Sequence, residues 1–475
     1  MRVVKNYLYN ASYQVFILIV PLITTPYLAR VLGPKGVGIN AYTNSIVQYF
    51  ILFGGIGVSL YGNRQIAFVR DNQAKLTKTF YEIFFLRLGM ILLACLAFGL
   101  FILWTPEYKV FYLAQAVSLL AAAFDISWFF MGVENFAVTV LRNLVIRILT
   151  LISIFIFVKT TNDLVIYILI LSLSLLLGNL LLFPSLSKYL GKVSFKTLQL
   201  GKHFWPAAVL FIPQIATQIY LVLNKTMLGA MTSIQAAGYF DQSDKMIKVV
   251  LAVVTATGTV MLPHVAHAFA KGEHEKTREC LYQSFAFVTA LSVPMTFGLA
   301  AVTSKFVPLF FTQQFISVVP IMMIEAVVIL LIAWSNALGL QYLLPTKQNK
   351  AFTISVVVGA VVNLIVNIPL IMAYGAVGAA IATVISEVAV TGYQLWSVRK
   401  QISYRRLFTD IHKYLLAGLG MFGLVYCLDI IWAENWLALA GEILIGIVFY
   451  LILLVFLKVE LVNKLRGKLR HAKEN

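Results

Sequence analysis

Four charged residues of this chain have the spacing to line a polar cavity from a single helix. Asp241, Asp244, Lys245 and Lys248 follow the pattern i, i+3, i+4, i+7 inside an apolar stretch, so they share one helical face. Such a face is not suited to contact with lipid. Each acid precedes a base by four residues, so two intrahelical ion pairs can neutralise the stripe while the helix lines a wet space. The alternative is that the two pairs only stabilise the helix.

Two arginines and two glutamates lie deep in other apolar stretches. A charge at the centre of a bilayer costs about 2.5 to 3.5 kcal/mol or more unless it faces protein or water, which makes each of them a functional candidate. Arg87 and Arg147 are predicted to lie roughly 12 to 14 Å inside one membrane surface, where they bind an anionic ligand or form a buried ion pair. Glu325 and Glu387 are predicted to accept a coupling proton or to pair with a buried base.

Further polar residues lie on stretches that contain proline. Arg30 and Lys225 lie near one end of such stretches, where they contact a ligand or extend to lipid headgroups. Gln214 and Gln218 precede Lys225, and their amides suit a polar ligand or interhelical hydrogen bonds. The candidate binding residues are Arg30, Arg87, Arg147, Gln214, Gln218, Lys225, Lys245 and Lys248. The candidate ion-coupling residues are Asp241, Asp244, Glu325 and Glu387.

Transmembrane helices must position these residues. Hydrophobic residues make up 60% of the chain and charged residues 12%, and the mean hydropathy is +0.88, far outside the range of soluble domains. The apolar stretches long enough to cross a bilayer are 7–31, 40–61, 79–104, 108–130, 138–158, 163–184, 203–229, 236–267, 281–302, 318–344, 351–373, 375–397, 411–431 and 436–457. The sequence therefore predicts an all-α polytopic membrane protein of about fourteen transmembrane helices without a soluble domain.

The basic residues predict the orientation of these helices. The formal net charge is +18, and 26 Lys and Arg residues lie in the even-numbered loops and at the two ends. The opposite loops contain Lys35, Lys109, Lys159 and Lys305. By the positive-inside rule both termini are cytoplasmic, and the basic excess attracts anionic lipid at about 1 kcal/mol per residue. Membrane lipid is therefore an expected partner, and nucleic acid is not.

Signatures of enzymatic and metal chemistry are missing from the sequence. The three cysteines have no paired spacing, and no P-loop, HExxH or CxxC motif is present, so neither a disulfide, a metal site nor a cofactor is expected. A membrane-embedded polymerase or acyltransferase would need a long outer loop or a histidine pair inside the bundle. The loops are short and the six histidines lie at or beyond predicted cytoplasmic helix ends, so no catalytic residues are expected. The first stretch, with Pro21 and Pro26, is expected to be a retained helix rather than a signal peptide.

The two halves of the chain carry a weak repeat. Arg30-Val31-Leu32-Gly33 is followed by Gly38, and Lys225-Thr226-Met227-Leu228-Gly229 is followed by Gly238. Prolines interrupt both preceding stretches, a feature of repeat-built transporters with a central site. The alternative is that Leu-Gly merely ends two similar helices. On the repeat interpretation, the chain divides into an N-terminal lobe (1–200), a C-terminal lobe (201–402) and a trailing helix pair with a basic tail (403–475).

Four motifs in this order resemble the bacterial polysaccharide transporters, or oligosaccharide flippases, of the multidrug/oligosaccharidyl-lipid/polysaccharide exporter superfamily. They are PYLARVLGPKGVG at 26–38, WFFMGVE at 128–134 with Arg142 after it, NKTMLG at 224–229 with Gly238-Tyr239, and GAVGAAIAT at 375–383. The resemblance covers nearly the whole chain. It implies two pseudo-symmetric six-helix lobes around a central cavity, with a trailing helix pair, in the bacterial cytoplasmic membrane.

The same resemblance implies a substrate and partners. The expected substrate is an undecaprenyl-diphosphate-linked oligosaccharide, moved to the outer leaflet by alternating access for the assembly of a surface polysaccharide. A polymerase and other assembly proteins are further candidate partners. A cationic cavity for the diphosphate agrees with Arg87, Arg147, Lys245 and Lys248. The closest alternative, a cation-coupled multidrug exporter of the same superfamily, would be expected to line its cavity with acids.

Overall fold

The protein is built from α-helices. The computed structural model describes the backbone of residues 2–461 and, within this range, all side chains except those of 2–18, 136, 212–214, 216, 217, 219–221 and 257–263. The α-helices of this range are α1 (Arg2–Gly55), α2 (Val58–Val69), α3 (Gln73–Trp104), α4 (Lys109–Ala123), α5 (Ser127–Gly132), α6 (Phe136–Phe157), α7 (Leu164–Leu180), α8 (Gly201–Met231), α9 (Ile234–Ala270), α10 (His274–Phe310), α11 (Val318–Leu338), α12 (Asn349–Val398), α13 (Tyr404–Leu407), α14 (Ile411–Ile431) and α15 (Trp436–Phe456). A π-helical turn over Gly339–Leu343 follows α11, and short 3₁₀ turns lie at Thr161–Asp163, Phe183–Lys188, Phe195–Thr197 and Gln313–Phe315.

These helices are long and apolar enough to span a membrane. Ten helical stretches within the described residues qualify by length and hydropathy. Large apolar side chains on their surfaces are exposed, as in α15, where Leu437 and Phe456 are 87% and 80% exposed. Exposed apolar faces on helices of this length are suited to lipid. The prediction of an all-α, multi-pass integral membrane protein is confirmed.

Two of the helices contain a glycine interruption. Straight α1 and α12, with 54 and 50 residues, would be roughly 80 and 75 Å long, more than twice the hydrocarbon thickness of about 30 Å. The breaks are at Gly33 (φ 63°, ψ 178°) and Gly375 (φ 56°, ψ −129°). L-residues with a side chain rarely adopt these angles. Beyond the second break, Gly378 lies against the carbonyl oxygen of Leu370, so the chain turns back there. Each interruption therefore separates two of the predicted spans.

The chain forms two compact units, Met1–Gly238 and Tyr239–Asn475. In the first unit, α1 packs against α3, α4, α6 and α8, and α7 packs against α4 and α6. In the second unit, α10 packs against α11, α14 and α15, and α11 packs against α12. The division into two lobes and a trailing pair at 1–200, 201–402 and 403–475 stays a prediction.

The glycines of the sequence repeat meet in the first unit. A Cβ on Gly238 would lie 2.8 Å from the carbonyl oxygen of Pro34 and 2.9 Å from the backbone nitrogen of Gly38. A Cβ on Gly38 would overlap the carbonyl oxygen of Ile234. The start of α9 is thus packed backbone to backbone on α1. The Leu-Gly pairs of the repeat differ locally, because Gly33 forms a turn whereas Gly229 lies inside α8 against the ring of Tyr42.

Gly38→Ala is expected to destabilise the protein by about 1 to 3 kcal/mol, because the methyl group has no room against the backbone of Ile234. The measurement is thermal or denaturant unfolding of the purified protein in detergent. Gly99→Ala in α3 is the matched control, since a Cβ there meets no atom within 4 Å, and it should be neutral or slightly stabilising. Equal unfolding free energies for Gly38→Ala and Gly99→Ala would show that Gly38 is not in close contact with the backbone of Ile234.

Candidate functional site

A polar cavity of about 490 Å³ lies within the first unit, between α1, α4, α6 and α7. Two arginines line it, Arg142 and Arg147. The amide side chains of its wall are Asn40, Asn44, Gln48, Gln115 and Asn143. The hydroxyl groups are those of Thr24, Ser118, Thr150, Tyr167 and Ser174. No acid is among the described residues that line the cavity, so its charge is positive.

Helix α6 presents the cationic wall. Asn143, Arg147 and Thr150 follow the spacing i, i+4, i+7 and therefore share one face. The opposite face carries exposed apolar side chains, including Leu141 and Leu149 at 66% and 53% exposure. Arg147 is the twelfth of the 22 residues of the helix. The amphipathic pattern thus turns a guanidinium inward near the middle of a membrane-length helix.

The two arginines of the cavity differ in their contacts. Arg142 donates from Nη1 to Oδ1 of Asn179 at 2.9 Å, and Nδ2 of Asn179 donates to the carbonyl oxygen of Ala121 at 2.8 Å. These bonds tie Arg142 to α7 and α4. Arg147 makes no hydrogen bond or ion pair with any residue whose side chain the structure describes. Its donors are therefore available to a ligand.

Hydrogen bonds between helices position the uncharged polar groups. Gln115 donates from Nε2 to Oδ1 of Asn40 at 3.3 Å, which links α4 to α1. Thr150 donates to the hydroxyl oxygen of Ser174 at 2.7 Å, which links α6 to α7. These contacts use only part of the donor and acceptor capacity of the amides and hydroxyls. The wall can therefore both donate to and accept from a polar ligand.

Arg87, which the sequence analysis predicted as a second deep cation, lies outside this cavity. Its Nε donates to the carbonyl oxygen of Ala122 at 2.7 Å, its Nη1 to Oγ of Ser59 at 3.1 Å, and its Nη2 to Oδ2 of Asp125 at 3.2 Å. The Arg87 side chain is buried. The alternative prediction for this residue, a buried ion pair, is confirmed, and Arg87 joins α3 to the segment between α4 and α5.

The charged stripe on α9 forms the two predicted ion pairs. Lys245 Nζ lies 2.6 Å from Oδ2 of Asp241, and Lys248 Nζ lies 2.8 Å from Oδ2 of Asp244. Asp241 is buried, whereas both lysines are well exposed. The spacing of four residues therefore predicted the pairing correctly. The roles of these residues in binding substrate or coupling ions stay predictions.

The remaining candidates are not among the described residues that line the cavity. Glu325 is buried on α11 and accepts a hydrogen bond from Ser243 of α9, and Glu387 is buried on α12. Arg30 is exposed and donates to the carbonyl oxygen of Pro26 in its own helix at 3.1 Å. Lys225 and Gln218 are not among the lining residues, and the side chain of Gln214 lies outside the described residues. Their assignment to substrate binding or ion coupling stays a prediction.

Sequence reasoning missed several residues of the cavity. Arg142 was noted only as part of a motif, and Asn143 and Gln115 were not singled out. A usable signal was present, because Arg142, Asn143, Arg147 and Thr150 recur at helical spacing within one apolar stretch. A buried cluster around Glu82 was also missed. Its Oε2 lies 2.7 Å from Nζ of Lys202 and 2.9 Å from Nε2 of His203, which the sequence placed at a helix end.

A family model described as polysaccharide biosynthesis protein matches residues 3–269, more than half of the chain. This chain belongs to the polysaccharide biosynthesis protein family. The resemblance inferred from the four motifs is confirmed.

The chain is also similar to individual known proteins and solved structures. A protein of Escherichia coli K12 that carries the name of an O-antigen transporter is 23% identical over 400 residues, which are 83% of this chain and 96% of that protein. The inward closed structure of the lipid II flippase MurJ has a TM-score of 0.76 at 19% identity and covers 96% of this chain and 100% of its own. An inward-facing multidrug transporter of the MATE family has a TM-score of 0.59 at 13% identity, with coverage of 83% and 94%. At these identities the two structures show that this polysaccharide biosynthesis protein shares their fold.

Proposed function

We propose that this polysaccharide biosynthesis protein is a flippase for a lipid-diphosphate-linked oligosaccharide. It moves the undecaprenyl-diphosphate-linked repeat unit from the cytoplasmic to the outer leaflet of the bacterial cytoplasmic membrane by alternating access. The sugar then enters the assembly of a surface polysaccharide, with a polymerase and assembly proteins as later partners. The family, and the name of the Escherichia coli relative, support this assignment.

The chemistry of the cavity is the observation that carries the proposal. A lipid-linked oligosaccharide has an anionic diphosphate next to a polar sugar. The fork of a guanidinium pairs with phosphate oxygens through two charge-assisted hydrogen bonds, which suits Arg147 to the diphosphate. Amides and hydroxyls on α1, α4 and α7 suit the sugar hydroxyls. The cavity volume of about 490 Å³ is that of a small-molecule site, so we assign it to the diphosphate and the first sugar rather than to the whole repeat unit.

The distribution of basic residues supports a position of Arg147 deep in the membrane. With both termini in the cytoplasm, α6 begins at the cytoplasmic surface and Arg147 lies near the middle of the membrane. A diphosphate entering from the inner leaflet would meet this arginine after crossing about half of the hydrocarbon core. The cation thus lowers the cost of placing an anionic headgroup at the depth where that cost is greatest.

Multidrug export is the competing function, and the cavity argues against it. A carrier of cationic drugs needs acids to attract its substrate, and no acid lines the described wall of this cavity. The acids on α9 that could serve are each already paired with a lysine. An anionic substrate is therefore the better match for the first unit.

The proposal is tested with purified full-length protein in proteoliposomes that contain a lipid-diphosphate-linked oligosaccharide. A glycan-cleaving enzyme added outside reports the exposure of inner-leaflet sugar over time. We expect faster exposure than in protein-free liposomes. Exposure at the protein-free rate, together with extrusion of a cationic dye under an imposed ion gradient, would replace the flippase assignment with multidrug export.

A further inference from the structure

Three charged side chains from three helices meet in the second unit. Lys305 of α10 donates from Nζ to Oε1 of Glu442 on α15, and the same nitrogen lies 3.8 Å from Oδ1 of Asp429 on α14. Ser304 donates to Oδ2 of Asp429 at 2.6 Å. The exposed fractions of the Lys305, Asp429 and Glu442 side chains are 1%, 7% and 0%. Lys305 is 124 and 137 positions from the two acids in the sequence, and the fold buries all three side chains almost completely.

Other charged groups on the surrounding elements do not balance this cluster. The remaining charged residues of α10 lie in its first turns, between His274 and Glu279, and those of α14 are His412 and Lys413 at its opposite end. The charged residue of α11, Glu325, accepts a hydrogen bond from Ser243. Glu434, in the loop between α14 and α15, is exposed. Among the described residues, no further ion pair reaches Lys305, Asp429 or Glu442. The charge of the cluster must therefore be balanced within it.

The cluster contains one base and two acids. With all three groups ionised it would carry a net charge of −1 where little solvent reaches. A buried uncompensated charge costs several kcal/mol, and two carboxylates beside one ammonium cannot both be neutralised by it. Oδ1 of Asp429 and Oε2 of Glu442 also accept no hydrogen bond from any described group. One additional positive charge at these two oxygens would remove both the net charge and an unmet hydrogen-bonding position.

We propose that Lys305, Asp429 and Glu442 form a proton-binding site in which one of the two carboxyls holds a proton. A proton fits better than a metal ion, because the ammonium of Lys305 already occupies the space beside both carboxyls and would repel a second cation of larger size. The protonated cluster is neutral and holds α14 and α15 against α10.

This site goes beyond the proposed flippase activity. It lies in the other unit from the cationic cavity, and none of the four predicted ion-coupling residues belongs to it. The sequence predicts Lys305 in an outer loop, whereas the structure places it in α10, and neither acid is a candidate from the sequence. The test below uses no oligosaccharide, so its result is independent of the substrate assignment.

The experiment compares the wild type with Glu442→Gln, which keeps the shape of the side chain and leaves one ammonium facing one carboxylate. Reversible unfolding of full-length protein is followed in mixed detergent micelles from about pH 6 to about pH 8. The native wild type holds one proton more than the unfolded chain, so its stability falls as pH rises. The ratio of wild-type to variant unfolding constants should increase about tenfold per pH unit while the native site keeps its proton.

Two further variants complete the test. Asp429→Asn should change the pH profile in the same way as Glu442→Gln, because either substitution leaves a neutral pair. Glu434→Gln, which alters the exposed acid of the neighbouring loop, should leave the wild-type profile unchanged. If the stability of the wild type, Glu442→Gln and Asp429→Asn varies with pH in the same way, the proposal is wrong.

Infrared spectroscopy provides a second measurement that needs no unfolding. The folded wild type at neutral pH should show the carbonyl stretch of a protonated carboxyl, and this band should be lost in Glu442→Gln or Asp429→Asn. If the wild type shows no such band, the site holds no proton. This conclusion needs only the wild type, so it stands when both variants fail to fold. A band that persists in a folded variant of each position belongs to another residue and equally contradicts the proposal.

Discussion

Arg147→Ala is expected to slow the flipping of lipid-linked oligosaccharide by at least about tenfold while the protein folds normally. The expected loss follows from one charge-assisted hydrogen-bonded contact to a phosphate, worth about 1.5 to 3 kcal/mol. Stability should be retained because Arg147 has no hydrogen-bonding or ionic partner among the described residues, so its removal leaves no buried group unpaired. The measurement is the initial rate of sugar exposure in proteoliposomes, with thermal unfolding in detergent as the check on folding.

Two further variants test whether Arg147 contacts the phosphate. Arg147→Lys retains the charge but loses the two-pronged geometry, and an intermediate rate is expected. Arg405→Ala removes an exposed arginine of α13 that lies outside the cavity, and its rate should equal that of the wild type. A wild-type rate for Arg147→Ala would exclude this arginine as the phosphate contact.

Arg87→Ala is expected to reduce the stability of the folded protein by about 3 kcal/mol, at the lower end of the cost of breaking a buried ion pair. The substitution removes three donors at once and leaves the carbonyl oxygen of Ala122 and the carboxylate of Asp125 without their partner. The lower end applies because Asp125 keeps 26% of its side chain exposed, so water partly compensates. Unfolding in detergent measures the loss.

The double variant Arg87→Ala, Asp125→Asn distinguishes the ion pair from the packing of the arginine. Because the amide carries no charge, part of the lost stability should return, and the two substitutions should not be additive. Ser127 would still donate to the side chain at position 125, as it does to Asp125 at 2.6 Å. Wild-type stability in the single variant Arg87→Ala would show that the pair contributes nothing measurable.

These two arginines have the same predicted depth but opposite expected phenotypes. The Arg147→Ala variant should lose transport and remain folded, whereas the Arg87→Ala variant should lose stability. The sequence is compatible with either role for either arginine. The acceptors of Arg87 at positions 59, 122 and 125 belong to segments far from it in the chain. They lie next to Arg87 only because α2, α3 and α4 pack together.

Properties that depend on neighbours along the chain were determined by the sequence itself. Backbone groups in lipid must be satisfied within each segment, so long apolar stretches can only be helices, and the all-α membrane fold follows. The pairs Asp241–Lys245 and Asp244–Lys248 also follow, because four residues make slightly more than one helical turn. The repeat located the glycines at 38 and 238, although it did not predict that they touch.

Properties that depend on which helix packs against which were decided only by the tertiary structure. Arg147 faces a cavity between four helices whose described lining residues include no acid, Arg87 faces Asp125, and Lys305 is buried with two acids 124 and 137 positions away. The helical period specifies the face on which a side chain lies but carries no information on the partner that covers that face. This partner determines how deeply a side chain is buried and which charges surround it. Burial and surrounding charge in turn decide whether the side chain contacts a ligand, forms a structural ion pair or binds a proton.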